Sequence, residues 1–265
     1  MRGLRRALRL MRVFIGATIS AQLEYRANFL GALMGTLVAT GTSLFALGLV
    51  LGQPGTTGVG GWTLREALLV TAFYLLTSGF IAVFIRPNMS KIAEAVRTGN
   101  MDFTLLKPID AQLNVSTRNV DILRFPDLLI GAGLMVYAAS GLTITASGML
   151  GGTLLYLSSL VIVYCIWLAL STTAFWFVKT QNATELFQGV FSAARFPSTA
   201  FPAPVRAFLT VVVPIAFITT VPAQALLGRL TLTQALASPL VAAVLFAATR
   251  WFWLKAVGSY TSASS

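Results

Sequence analysis

The chain has 265 residues, of which 56% are hydrophobic and 10% charged, and its mean hydropathy is +0.80. Soluble chains carry about 25% charged residues, so this composition cannot cover a soluble globule and reads as an integral membrane protein. Histidine is absent, Cys165 is the sole cysteine and the formal net charge is +11. That excludes histidine triads, His- or Cys/His-ligated metals and an internal disulfide, and makes the position of each charge the informative quantity.

Residues 2–15 predict an amphipathic helix. Leu4, Leu8, Met11 and Ile15 share one face, and Arg2, Arg5, Arg9 and Arg12 share the opposite one. This is the pattern of a helix lying in the membrane interface with its arginines toward anionic headgroups. The apolar run after Arg26 matches a full membrane helix of about 20 residues. It exceeds a signal-peptide core of about 7–15 residues and is expected to be an uncleaved first span, 27–51. Further spans are expected at 67–85, 128–144, 154–178, 207–221 and 235–253, the fifth short and interrupted by Pro214. The Gly-rich stretch Gly52 to Gly61 reads as an external turn, and Thr63-Leu-Arg-Glu66 as a capping box that opens the second helix. With a cytoplasmic N-terminus and six spans, all but Arg65 and Arg229 of the 19 Lys and Arg residues fall inside. The positive-inside rule then places both termini in the cytoplasm.

The inner loop 86–127 is the most informative polar segment. Ser90 can cap a short helix ending at Gly99. In it, Ile92 and Val96 form an apolar pair, and Lys91, Glu94 and Arg97 form a charged stripe on another face. Asn100 and Asp102 can satisfy turn backbone, and Pro108 blocks further helix. A loop of this length with its own helix suggests a docking partner. A second inner loop, 179–206, contains a possible helix around 183–195 with apolar Leu186, Phe187, Val190 and Phe191, followed by Pro197, Pro202 and Pro204. The whole chain reads as one membrane domain.

Glu24, Glu66, Glu94, Asp102, Asp110, Asp121, Asp127 and Glu185 are the eight carboxylates, all expected at membrane edges or in inner loops. Ion-coupled transporters usually need an ionisable group within the membrane, which lowers that class, although carbonyl and hydroxyl sites for Na⁺ stay open. No lysine is followed by Ser or Thr after glycine, so no P-loop occurs and any ATP must bind a partner. Gly31-Ala-Leu-Met-Gly35 is a GxxxG in the first span, open to intramolecular packing or to dimerisation. The fourth span carries Tyr156, Tyr164, Trp167, Phe175 and Trp176, and the second Phe73, Tyr74, Phe80 and Phe84. Trp176 reads as an interface anchor. Tyr164 and Trp167 lie deeper, where they could line a path for an amphiphile. Pro214 and Pro222 either kink the fifth helix or end it.

An arginine-rich amphipathic helix leading into span one, the string Ile92-Ala-Glu-Ala-Val-Arg-Thr-Gly-Asn-Met-Asp-Phe-Thr-Leu-Leu-Lys-Pro-Ile109, the inner-loop Ala194-Arg-Phe-Pro197 and a proline-bearing fifth span together resemble the ABC-type-2 export permeases, specifically their small six-span subgroup. The resemblance implies an all-α polytopic membrane fold with an N-terminal interfacial helix at residues 2–25 and a cytoplasmic coupling helix at about Ser90–Gly99. Ser90, Lys91, Ile92, Glu94, Val96, Arg97 and Asp102 would then serve ATPase docking, with Ile92 and Val96 holding the helix to the membrane domain. It further implies a dimer, with a second copy or a paralogous permease, bound to two ABC ATPase subunits that carry ATP and Mg. The chain itself is expected to hold no cofactor and to meet membrane lipid but no nucleic acid. The central path would be lined by spans two and five, with Phe73, Tyr74, Phe80, Tyr164, Trp167 and Pro214 as candidate path residues. Outer re-entrant helices between spans five and six, common in related exporters, would have only about 222–234 available. The rival readings are a self-sufficient channel or secondary transporter, a membrane-embedded enzyme for which no clustered acids or base are present, and a membrane scaffold.

Overall fold

The structure is a computed structural model that describes residues 26–51, 60–177 and 181–260. The predicted interfacial helix with Arg2, Arg5, Arg9 and Arg12, and most of the Gly52 to Gly61 turn, lie outside the described residues. Among those described, every regular element is helical. Four helices are long and apolar enough to cross a membrane: Leu64–Arg97, Ile122–Ala139, Ala146–Phe175 and Leu232–Ser259. A shorter apolar stretch, Leu33–Leu49, lies within α1 (Arg26–Leu51), and a broken pair, Ala203–Val212 with Ile215–Leu226, is bent by 77°.

The second apolar helix starts where the capping box predicts. Thr63 accepts from the Glu66 N–H, and the Glu66 carboxylate accepts from the Thr63 N–H at 2.9 Å. From there α2 (Leu64–Phe80) passes through a π turn at Ile81–Ile85 into α3 (Arg86–Arg97) without a break. At a rise of about 1.5 Å per residue, the 34-residue helix is roughly 51 Å long, about 20 Å more than an apolar bilayer core of about 30 Å. Ser90 is therefore not a helix cap. It sits mid-helix, and its hydroxyl donates back to the Arg86 carbonyl at 2.9 Å. The local cap signal is overridden because the π turn widens the helix just ahead of Pro87, with the Arg86 N–H bonding the Ile81 carbonyl. The carbonyl that Pro87 leaves unpaired, that of Val83, accepts from the Asp121 N–H at 3.0 Å. The helix stops at Gly99, whose φ of +73° suits only glycine.

Next come α4 (Asp102–Leu105) and α5 (Ala111–Thr117), the latter capped by Asp110 accepting from the Leu113 N–H at 3.0 Å. The third apolar helix, α6 (Phe125–Ala139), has Pro126 in its first turn and ends well before 144. The turn at Ser140–Gly141 and the Thr145 cap start α7 (Ala146–Thr172) ahead of the predicted 154. A 3₁₀ turn extends α7 to Phe175. At that end Phe175 meets the rings of Trp253 and Tyr260 edge-on, each at 5.7 Å, and Trp176 stacks on Phe252. α8 (Gln181–Phe191), α9 (Ala203–Ala207), α10 (Thr220–Leu226) and α11 (Leu232–Ser259) complete the chain. A Thr231–Gln234 capping box starts α11 before the predicted 235, and the helix continues through Pro239.

The predicted fifth span, 207–221, falls on the bent pair, broken at Val213–Pro214. Residues 192–200 lie against the Leu64 end of α2. Thr71 donates to the Arg195 carbonyl at 3.0 Å, and Thr199 accepts from the Trp62 indole at 2.8 Å while donating to the Gly60 carbonyl at 3.1 Å. The broken pair follows, with Val213 extended as its position before Pro214 requires. Thr219 and Thr220 side chains bond the Ala194 carbonyl and the Ser198 N–H, each at 3.0 Å. The second leg runs through Pro222 to Arg229, whose guanidinium forms a two-pronged ion pair with buried Glu66. Chain entry to the pair at Thr199 and exit at Arg229 are thus at the same end of α2.

Close helix contacts rest on glycines other than the predicted pair. A Cβ on Gly79 or Gly131 would lie 2.9 Å from the Leu128 N or 2.7 Å from the Leu76 N, so these two glycines let α2 and α6 touch backbone to backbone. Gly148 and Gly152 bring α7 close to α10, where a Cβ would meet the Leu226 carbonyl at 2.6 Å and the Leu226 side chain at 2.7 Å. At Gly31 and Gly35 a Cβ meets no described neighbour within 4 Å.

Candidate functional site

The far end of the long helix has the two faces its sequence predicts. Ile92 is buried with Met89 in the main core and Val96 packs partly against it, while Lys91, Glu94 and Arg97 face outward. Ser90 is also exposed and Asp102 half-buried, so the seven residues assigned to docking divide into an anchoring side and an outward side. Beyond Gly99, Phe103 and Leu106 stand 68% and 81% exposed. Sequence periodicity did not single them out, yet large apolar side chains that far outside a core mark a surface for a partner or a membrane.

This end is held stiffly. Asn88 is buried and uses its whole hydrogen-bonding capacity. Its Nδ2 donates to the Phe84 and Asn119 carbonyls at 2.7 and 2.8 Å, and its Oδ1 accepts from the Asn119 N–H and Nδ2 at 2.8 and 3.1 Å. Lys91 adds a bond to Asn119 Oδ1 at 2.9 Å. The loop is tied to the last helix as well. Arg250 bridges Asp110 in two-pronged fashion and donates to Gln112, which donates in turn to the Tyr164 hydroxyl at 3.0 Å. The Arg250 hydrogen bonds and the Leu113 N–H hold the Asp110 carboxyl below its ordinary range. Between these groups lies a cavity of about 790 Å³, bounded by Phe80, Phe84, Tyr164 and Phe246.

A second cleft, of about 410 Å³, runs between α1 and α2. Gly31, Gly35, Thr36, Thr40 and Ser43 line its α1 side, and Thr71, Tyr74 and Ser78 its α2 side. Arg195 enters it. Its Nη1 donates to Ser43 Oγ at 2.9 Å and its guanidinium lies 5.0 Å from the Tyr74 ring centre. Thr71 and Tyr74 are seven and ten residues from the start of α2, which puts Arg195 roughly 10–15 Å along that helix, near half the depth of a bilayer. The sequence pattern places Arg195 at the end of a possible helix in the inner loop 179–206. Its polar surroundings come from α1 and α2, distant in sequence, so no local pattern could report them.

A profile of the family described as ABC-2 family transporter protein matches residues 37–264. The chain belongs to that family. No curated protein and no solved structure matches it. It is accordingly an integral membrane permease of the ABC type.

In this ABC-2 permease the residues predicted for a substrate path do not line one passage. Phe80 and Tyr164 border the larger cavity, and Tyr74 borders the Arg195 cleft. Phe73 is buried against Tyr156 at 5.2 Å, and Trp167 is buried edge-on to Phe187 at 6.3 Å. Pro214 sits at the break between the two bent legs.

Proposed function

We propose that this chain is the membrane subunit of an ATP-driven exporter, working as a dimer, and that separate ABC ATPase subunits carrying ATP and Mg dock on α3. The observation that carries this reading is the unbroken helix from Leu64 to Arg97. Its far third projects from the bilayer, exposes Lys91, Glu94 and Arg97, and is locked by Asn88 to the segment leading into α6. A push on that end would be delivered to α2 and α6 as a rigid body. Exposed Phe103 and Leu106 extend the same docking end with apolar contact area.

The proposed topology has six crossings: α1, α2, α6, α7, the segment 181–200 and α11, with the bent pair as a re-entrant hairpin. Arg26, Arg86, Lys91, Arg97, Lys107, Arg118, Arg124, Arg250 and Lys255 then share the docking end, against Arg65, Arg206 and Arg229 at the other. That bias supports a cytoplasmic docking end with both termini inside. One observation favours the rival secondary transporter: Arg195 supplies the ionisable group at mid-depth that such a protein needs.

Charge reversal decides between them. The Glu94→Lys, Arg97→Glu double variant should insert normally but lose co-purification of the ATPase and ATP-dependent transport. Transport that persists with no bound ATPase would establish the rival.

A further inference from the structure

We propose that the cleft between α1 and α2 is a binding site for the oxyanion headgroup, phosphate or carboxylate, of a membrane amphiphile, with Arg195 as the residue that recognises it. Three observations carry this. First, Arg195 has no carboxylate partner among the described residues. Among the described residues the one acid lining the cleft, Asp127, is taken by Thr36 at 2.8 Å and by Arg124 at 3.8 Å. Two arginines against one aspartate leave the lining one positive charge in excess. An uncompensated arginine at mid-depth is costly unless an anion meets it.

Second, the polar atoms left over are donors. Arg195 Nε and the Thr40 hydroxyl are both buried without a partner, although one face of the guanidinium is covered by Tyr74 and Nη1 is occupied by Ser43. The free Nε edge is the side through which arginine grips a phosphate or carboxylate with two bonds. Of the hydroxyls that line the cleft, those of Thr36, Ser43 and Thr71 already donate to Asp127, the Ala39 carbonyl and the Arg195 carbonyl, which leaves the unpaired Thr40 hydroxyl as the further donor for an acceptor-rich ligand. Third, there is room, and the room opens beside lipid. Gly31 and Gly35 line the cleft, and no atom of the described residues lies within 4 Å of where their Cβ atoms would be. The other side of α1 exposes Leu30, Met34, Leu37 and Val38. From Gly31 to Ser43 the cleft follows α1 for roughly 18 Å, long enough for a headgroup inside and an apolar tail alongside the helix. Binding here does not depend on an ATPase, so this inference and the exporter reading fail separately.

The test uses the full chain, purified in a zwitterionic detergent without any ATPase, and titrates dihexanoyl phosphatidic acid, dihexanoyl phosphatidylcholine and inorganic phosphate by calorimetry. Phosphatidic acid should bind at least tenfold more tightly than phosphatidylcholine. Arg195→Gln should abolish that preference and Arg195→Lys should retain part of it. Gly35→Leu, which adds bulk to the cleft at a position where a Cβ meets no described atom within 4 Å, should weaken phosphatidic acid at least tenfold and guards against misfolding of the arginine variants. Phosphate competing at concentrations like those of the lipid would support a free oxyanion as the occupant. Phosphate that fails to compete would support the lipid. Equal affinity for the two lipids, or phosphatidic acid affinity unchanged in both Arg195→Gln and Gly35→Leu, would overturn the proposal.

Discussion

Replacing Asn88 by alanine should be among the most damaging single changes in this permease, far out of proportion to the loss of one small amide. The side chain makes four hydrogen bonds, three of them to Asn119 and two of those three to the Asn119 backbone. At about 0.5–1.5 kcal/mol net each, the four contribute about 4 kcal/mol. The Asn119→Ala variant is the natural control. It forfeits only the Nδ2–Oδ1 bond and the exposed contact with Lys91, and it keeps both backbone bonds to Asn88. Its cost should be about 1 kcal/mol. A gap of about 3 kcal/mol is roughly a hundredfold in the folding equilibrium. It is measurable as a displaced unfolding midpoint when the purified variants are titrated with a denaturing detergent. Equal midpoints for the two variants, or an Asn88→Ala midpoint within error of the parent protein, would refute the clamp.

Three further outcomes follow from the geometry. Gly131→Leu should cost about 1–3 kcal/mol by forcing α2 and α6 apart, whereas Gly35→Ala should be neutral or stabilising by up to about 1 kcal/mol, since its Cβ meets no described neighbour; thermal unfolding in detergent compares them directly. Glu66→Gln and Arg229→Gln in a double-mutant cycle should give a coupling of roughly 1–3 kcal/mol, between the values for surface and buried pairs, because Glu66 is buried and Arg229 half-exposed. Asp110 has its carboxyl held below the ordinary range by Arg250. A depressed pKa contributes above the unfolded value and is lost as pH falls through the folded one, so the loop tether should hold from neutral pH down to about pH 4 and loosen only below it. Limited proteolysis between Phe103 and Leu113 reads this out, and Asp110→Asn should be cleaved faster than the parent already at neutral pH.

What could be read from the sequence was what short-range chemistry decides. The Thr63–Glu66 capping box, the glycine stop at Gly99 and the opposed Ile92 and Lys91–Glu94–Arg97 faces all appear in the structure. Ser90 misled because a serine near a helix start looks the same whether or not the preceding span continues. The continuation depends on the π turn and on the Asp121 N–H that meets the carbonyl left by Pro87. Residues 179–206 read as an inner loop with a possible helix around 183–195, because they hold no apolar run long enough to span. Their polar groups are met by Thr71, Ser43, Trp62, Thr219 and Thr220 from elsewhere in the chain, contacts to which hydropathy is blind. The GxxxG signal was real but ambiguous: Gly148 and Gly152 use the spacing for close packing, while Gly31 and Gly35 use it to leave space. Arg195 follows from the same blindness. A lone arginine two residues ahead of a proline carries no local mark of being at mid-depth.

The central claim, that α3 is where an energy-supplying partner docks, is tested most directly by purifying the chain from its native membrane in mild detergent and identifying the bound subunits by mass spectrometry. The account predicts a stoichiometric P-loop ATPase that is lost from the Glu94→Lys, Arg97→Glu double variant. An ATPase retained by that variant, or a transport-competent oligomer of this chain with no ATPase at all, would contradict it.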